Sequence, residues 1–181
     1  MPGNIYMRVV KIILIVILAI VATVIGIGLI VPNFEYGNSI AVQAPPEKCW
    51  KVFHDTSRMD RWMEGFKSIV LTQGNHLQPG SEYRIVIDDG NERMVMREKI
   101  IAVNPPESVS YELNNEVLKS EFTYRFKGDD NTTQIATNYK VTGNNVFMRA
   151  FLFFMKGYLK DSEKQMLEGL KREIESLPNG S

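Results

Sequence analysis

An apolar run over residues 12–31 contains no charged residue, and it constrains the fold of the chain more than any other feature. As a helix of about 20 residues it would span roughly 30 Å, the thickness of the hydrocarbon layer of a bilayer. A secretory signal peptide is the alternative, but its apolar region is shorter and ends in a small-residue cleavage site. We therefore predict a transmembrane helix at residues 12–31, preceded by residues 1–11 and followed by a linker at residues 32–38.

Basic residues on one side of this run predict its orientation. Arg8 and Lys11 precede it, whereas no lysine or arginine follows before Lys48. Because basic residues are retained in the cytoplasm, we predict a single-pass protein with a cytoplasmic amino terminus and its folded domain outside, in the periplasm of a bacterium. Ala22 and Gly26 form a pair of small residues four apart, which would allow weak association of two such helices.

The remaining residues, 39–177, suffice for one domain with a hydrophobic core. The whole chain has 21 basic and 21 acidic residues, so no positive excess attracts nucleic acid. Cys49 is the only cysteine, which excludes an internal disulfide and a cysteine-based zinc site. His54 and His76 lack partners at the spacing of metal ligands, and we predict neither a metal nor a cofactor.

Helix and strand patterns follow one another in a definite order along this domain. A short strand at residues 39–44 precedes a helix that begins with a proline pair, and a second short helix follows at residues 57–66. Alternating apolar residues then predict six antiparallel strands with one covered face, at residues 68–72, 82–88, 93–103, 108–113, 121–127 and 134–142.

A long helix is predicted at residues 145–176, and Asn144 or Asn145 can cap its start. Its segment at residues 146–155 is apolar nearly all round, apart from Arg149. Such a segment either lines a cavity and contacts the membrane, or is covered by protein on both faces. The predicted fold is α+β, with a curved antiparallel sheet of six or seven strands wrapped around the long helix.

This order of elements resembles the START-like, or SRPBCC, superfamily of the polyketide cyclase/dehydrase type, whose architecture is the helix-grip fold. The resemblance covers residues 38–175, and its motifs are residues 39–47, Trp50, Phe53, Asp55, Trp62, residues 79–81, 104–107, 130–135 and 167–171. It implies a cavity between the concave sheet and the long helix that suits a hydrophobic ligand. The superfamily includes lipid carriers, hormone receptors and cyclases, so it implies no single activity.

Glu98 is the most distinctive candidate residue in that cavity. It shares a strand face with Met96, so it would point inward, and a carboxyl group among apolar side chains would have a raised pKa. Alternatively it faces solvent, or pairs with Arg84 or Arg125. Tyrosines on apolar strand faces either orient a polar ligand group or pack in the core. The predicted cavity lining is Trp62, Tyr83, Met96, Glu98, Tyr124, Tyr139, Phe151 and Met155.

Three functions are compatible with these features. The favoured one is a membrane-anchored module that binds a hydrophobic small molecule or lipid without catalysis, held by burial of apolar surface and a few polar contacts. The second is a cyclase, dehydratase or hydrolase that acts on an apolar substrate through Glu98, a cavity tyrosine or an arginine. The third is an interaction partner of another envelope protein, with a filled core.

Overall fold

The computed structural model describes residues 3–88, 90 and 93–178. It contains the helices α1 (Gly3–Ile30), α2 (Pro46–His54), α3 (Met59–Trp62) and α4 (Val146–Ser176), with a single 3₁₀ turn at Thr56–Arg58. Its strands are β1 (Phe34–Tyr36), β2 (Ser39–Val42), β3 (Phe66–Gln73), β4 (Glu82–Asp88), β5 (Arg93–Asn104), β6 (Ser108–Asn114), β7 (Leu118–Gly128) and β8 (Thr133–Gly143).

The first helix, α1, stands apart from the core of the domain. Its segment Tyr6–Ile30 is long and apolar enough to cross a membrane. Among residues 6–30, whose burial the structure describes, residues 6–23 and 29–30 are exposed and residues 24–28 are partly or fully covered. A helix that belonged to the core would instead be covered along its length.

The described strands form one antiparallel sheet. Its order is β1-β8-β7-β6-β5-β4-β3. The strand β2 also pairs with β8, at residues 133–136, while β1 pairs with residues 139–141 of the same strand. Each strand turns its alternate apolar residues to the same concave face, on which α4 lies. The sheet and α4 together therefore make the helix-grip architecture, as the sequence predicted.

Two details differ from the sequence prediction. The segment predicted as a linker contains β1, in which Glu35 pairs with Lys140 of β8. Three residues are too few for an alternating pattern to be recognised, because pairing to β8 rather than periodicity defines this strand. The predicted second helix is also shorter: α3 ends at Trp62, and Gly65 then adopts a positive φ of 73° that turns the chain into β3.

The long helix α4 begins at a true cap and buries one face. The side chain of Asn145 accepts a hydrogen bond of 2.9 Å from the backbone N–H of Met148. Further along, Leu167, Leu170 and Ile174 are fully buried on the sheet. The core that they complete also contains Cys49, which is buried and forms no disulfide.

The end of α1 packs closely against the start of α4. Gly28 is buried there, and a Cβ atom at this position would lie 2.0 Å from the carbonyl oxygen of Val146. Gly26, two residues earlier, has no atom within 4 Å of the corresponding point. Only glycine at position 28 permits this approach of the two helices.

Candidate ligand-binding site

A small cavity of about 30 Å³ lies beside the core, where the concave face of the sheet meets the end of α2 and the loop between β3 and β4. This volume accommodates about two water molecules. Two of its lining residues, Thr56 and His76, are exposed to solvent. Its lining is formed by His54, Thr56, Met59, Ile69, His76, Leu77, Tyr83, Glu98, Ile100 and Tyr111.

Glu98 brings a carboxyl group into this cavity from the inner face of β5. Its neighbours across the sheet are Tyr83 on β4 and Leu113 on β6. Among the described residues no side chain forms a hydrogen bond or ion pair with it, and Arg84 and Arg125 occupy exposed positions. Burial without a compensating cation raises the pKa of Glu98 to about 8. The carboxyl group is therefore mainly protonated at neutral pH and can donate a hydrogen bond.

His54 ends α2 and joins the cavity to the core. Its Nδ1 lies 2.9 Å from the carbonyl oxygen of Trp50, and its Nε2 lies 3.2 Å from the hydroxyl oxygen of Tyr111. A carbonyl can only accept, so Nδ1 carries the proton and Nε2 accepts from the tyrosine hydroxyl. Burial lowers the pKa of His54 to about 4, which keeps this ring neutral.

A second histidine and a second tyrosine line the cavity beside the β3–β4 loop. The hydroxyl group of Tyr83 accepts a hydrogen bond of 3.0 Å from the backbone N–H of Leu77. The same hydroxyl lies 3.4 Å from Nδ1 of His76, to which it can donate. Leu77 itself has a φ of 52°, a conformation that a leucine rarely adopts. The β3–β4 loop is thus held over the cavity by these hydrogen bonds.

Glu98, His54 and Tyr111 make a polar but uncharged cluster between apolar walls. Ile69, Ile100 and Met59 supply the walls, and a protonated Glu98 and the Tyr111 hydroxyl supply polar groups. Such a site suits the hydroxyl or carbonyl group of an otherwise apolar molecule. No group of three or more potential metal ligands occurs within the described parts of the chain.

Of the residues predicted to line a cavity, Tyr83 and Glu98 are brought together in this one. Met96, one pair further along β5, lies instead at an open cleft of about 580 Å³ that is lined mainly by polar residues such as Arg84 and Arg97. Trp62 packs in the core against Phe53, with ring centroids 5.8 Å apart. Its indole N–H has no hydrogen-bond acceptor among the described residues.

The other predicted tyrosines pack deeper in the core. The hydroxyl groups of Tyr124 and Tyr139 are 2.9 Å apart and form a hydrogen bond with each other. Burial raises the pKa of both side chains, so both remain protonated. They form part of an aromatic layer in which Tyr139 also stacks on Tyr36, at 5.0 Å between ring centroids. Neither lines the cavity that contains Glu98.

The two residues predicted from α4 lie outside the cavity. Phe151 is 52% exposed, and Met155 is half-buried. In this part of α4 the buried positions are Ala150 and Leu152, the latter in contact with the apolar cluster of β1 and β8. A segment that is apolar all round offers several faces, and its sequence does not indicate which of them the sheet covers.

Four polar residues of the cavity were not predicted from the sequence, namely His54, Thr56, His76 and Tyr111. His54, His76 and Tyr111 are far apart along the chain, and only the folded sheet brings them together. A weak signal existed in the alternation of Val109 and Tyr111, which places this tyrosine on the inner face of β6. The histidines carried no such signal, because each lies at the end of an element or in a loop.

The fold is shared with known structures at low sequence identity. Ara h 8.0201 matches with a TM-score of 0.64 and 15% identity, over 80% of this chain and 99% of that chain. The Zhui aromatase/cyclase from Streptomyces sp. R1128 matches with a TM-score of 0.65 and 13% identity, over 79% and 94%. A conserved protein from Geobacillus kaustophilus matches with a TM-score of 0.65 and 16% identity, over 78% of this chain and 95% of that chain.

No protein with a curated description matches the sequence. A family model does match it, and its description is polyketide cyclase / dehydrase and lipid transport. The match extends over residues 34–175, which include β1, every later strand and nearly all of α4. The chain therefore belongs to the polyketide cyclase/dehydrase and lipid transport family.

Proposed function

We propose that this chain is a membrane-anchored protein that binds a hydrophobic small molecule or lipid through one polar group of that ligand. The observation that carries the proposal is the uncharged polar cluster of Glu98, Tyr111 and His54 at an apolar cavity. A protonated carboxyl and a tyrosine hydroxyl hold a ligand hydroxyl or carbonyl without the cost of burying a charge. The family description, which includes lipid transport, supports this ligand class.

The anchor in this proposal is α1, with its amino terminus in the cytoplasm. Support comes from the segment Tyr6–Ile30, whose length and apolar composition suit a membrane span. Arg8 and Lys11 precede the uncharged run at residues 12–31 and support the orientation. Anchoring places the cavity next to the lipid bilayer, in which apolar molecules are dissolved. A ligand could then pass between the bilayer and the cavity without crossing much water.

The cavity enlarges when such a ligand binds. Its present volume of about 30 Å³ suits water, so a ligand must displace wall side chains. Met59 is an adaptable wall residue, because its unbranched side chain has several rotamers. The β3–β4 loop is the segment that moves: it carries the unusual φ of Leu77 and positive φ values at Gly74 and Gly80.

Native mass spectrometry of the full chain, purified gently from its membrane in detergent, tests the proposal. We expect a retained mass of lipid or similar size, which is lost from Glu98→Leu and kept in Glu98→Gln because glutamine still donates a hydrogen bond. Glu112→Gln, on an outward-facing position of β6, is the matched control. The proposal is wrong if the natural chain retains nothing and takes up nothing from an extract of membrane lipids.

A second function, acid–base catalysis, is favoured by one specific observation. Burial raises the pKa of Glu98 to about 8 and lowers that of His54 to about 4, so one cavity contains a protonated acid and a neutral base. The Glu98→Gln variant separates the two functions. Catalysis through the carboxyl would fall by about 10²–10⁴-fold while binding remained, whereas a binding protein would show no turnover of the retained molecule before or after substitution.

A further inference from the structure

We propose that the first half of α4 docks on the same bilayer that α1 spans, through an aromatic face made of Phe147, Phe151, Phe154 and Tyr158. This inference rests on the proposed insertion of α1, and it goes beyond it because it assigns a second contact with lipid. It also gives the folded domain one fixed orientation at the membrane surface.

The aromatic face is large and has no protein partner among the described residues of the sheet. Phe147 and Phe151 are 56% and 52% exposed, and Phe154 and Tyr158 are both 65% exposed. Their spacing of three or four residues places them on one side of the helix. Exposed aromatic rings in such a continuous stripe mark a surface that contacts another apolar phase.

The position of α1 indicates that this phase is lipid. Residues 24–28 of α1 are partly covered, and Gly28 meets the backbone of Val146 in the first turn of α4. Residue 24 lies about 9 Å along the helix axis from Ile30, where α1 ends. With α1 across the membrane, the start of α4 therefore lies at the depth where α1 leaves the hydrocarbon layer.

The charged residues of α4 leave its aromatic face uninterrupted. Residues 146–160 include the basic residues Arg149, Lys156 and Lys160 but no acidic residue. From Asp161 onwards acidic and basic residues are mixed, as on a helix that faces water. Arg149, Lys156 and Lys160 lie on the side of the helix opposite the aromatic face, and Nζ of Lys156 lies 5.8 Å from the ring centroid of Phe34 in β1. The aromatic face itself therefore carries no charge, as a surface that contacts lipid requires.

A second copy of the chain is the main competing occupant of this face. The contact of Gly28 with Val146 argues against it, because α1, once inserted, holds the start of the aromatic face at the membrane surface, where lipid is always present. The proposal therefore commits to the bilayer, and a protein contact becomes an outcome of the test.

The depth of spin labels in the reconstituted full chain tests the proposal. Single cysteines replace Phe151, Phe154 or Tyr158, with Arg172→Cys as an exposed control on the charged half of α4 and Ile20→Cys as a control within α1. The native Cys49 is fully buried, so the unsubstituted chain measures its background labelling. Power saturation in phosphatidylcholine–phosphatidylglycerol vesicles compares collisions with oxygen, which enters lipid, and with a nickel chelate, which stays in water.

We expect labels at 151 and 154 to lie about 5–10 Å below the phosphate level, and the label at 172 to remain in water. Nickel accessibility at 154 equal to that at 172 would overturn the proposal, and so would protection from both reagents, which indicates a protein partner. A water-exposed label at 20 would overturn the anchoring itself. A label at 20 deep in lipid with one at 154 in water would remove only the docking surface and leave ligand binding untouched.

Discussion

Glu98 and His54 line one small cavity, and burial moves their pKa values in opposite directions. Removal from water disfavours the charged form of each group, which is the anion for the carboxyl and the cation for the imidazole. The pKa of Glu98 rises from 4.5 to about 8, and that of His54 falls from 6.5 to about 4. Both groups are thus uncharged through most of the range between pH 4 and 8.

These shifts predict how stability depends on pH. Between pH 6.5 and 8, Glu98 is protonated in the folded state and ionised in the unfolded state, so the unfolding free energy falls as pH rises. The upper limit for one group is about 1.4 kcal/mol per pH unit. Between pH 4.5 and 6.5, His54 is protonated only in the unfolded state and opposes this trend. Thermal unfolding of the detergent-solubilised chain, followed by circular dichroism, measures the change in stability over both pH ranges.

In the Glu98→Gln variant, we expect most of the decrease in unfolding free energy above pH 6.5 to disappear. Glu163, a buried carboxyl on α4 that accepts a hydrogen bond from Asn38, also has a pKa raised by burial, so its ionisation on unfolding changes stability with the same sign. Glu112→Gln, on the outer face, should leave the pH dependence unchanged. An unaltered decrease in Glu98→Gln would show that this carboxyl is already ionised in the folded chain at neutral pH.

Single residues of the cavity differ in how far the sequence could predict them. Alternation along β5 indicates an inward Glu98, since Met96 and Ile100 share its face, and the structure also has it inward. The contact of His54 with Tyr111 could not be predicted, because it joins residues 57 positions apart that meet only when β6 enters the sheet. Long-range contacts of this kind leave no periodic trace in the chain.

Among the elements, the junction between α1 and α4 offers a sharp test with a built-in control. Any side chain at position 28 would collide with the backbone of Val146, whereas a Cβ atom at position 26 has no atom within 4 Å. We therefore expect Gly28→Leu to lower the midpoint of thermal unfolding of the solubilised chain and Gly26→Leu to leave it nearly unchanged. Equal midpoints for the two variants would mean that the helices do not touch at Gly28.

The same control variant tests self-association of α1. Gly26 and Ala22 remain predicted as the contact of two anchors, and no described atom lies close to where a Cβ of Gly26 would be. Gly26→Leu should then weaken any dimer in detergent, because small residues permit close helix approach. Cross-linking of the natural chain and the variant measures this, and identical dimer fractions would exclude the pair as the contact.

Sequence patterns predicted the elements best where one face is covered. The bounds of β4 are those expected, since Tyr83, Ile85 and Ile87 alternate with residues of the other face. Patterns failed for β1, whose pairing with β8 is set by tertiary contact. They were also ambiguous for residues 146–155, where apolar side chains all round the helix left its covered face undefined.

At the scale of the whole molecule, orientation across the membrane is the first prediction. Arg8→Cys in α1 and Lys127→Cys in β7 provide exposed thiols on opposite sides of the proposed span. We expect a membrane-impermeant maleimide to label position 127 in cells whose outer surface is accessible to it, and position 8 only after lysis, because basic flanks remain inside. The reverse pattern would place the domain in the cytoplasm.

The overall architecture could be predicted because the order of strands and helices along the chain resembles one superfamily. The size of the cavity could not, since a volume of about 30 Å³ depends on how individual rings and methionines pack. The sequence thus indicated where polar groups face inward. It did not indicate how much space the core leaves around them.

Only residues 31–33 separate the end of α1 at Ile30 from the start of β1 at Phe34. A segment of this length extends over about 10 Å at most, far less than the width of a periplasm. With α1 inserted, the domain cannot shuttle cargo from one membrane to another. Its encounters are confined to a plane, so its occupancy would follow the surface density of ligands and partners in its own membrane rather than their bulk concentration.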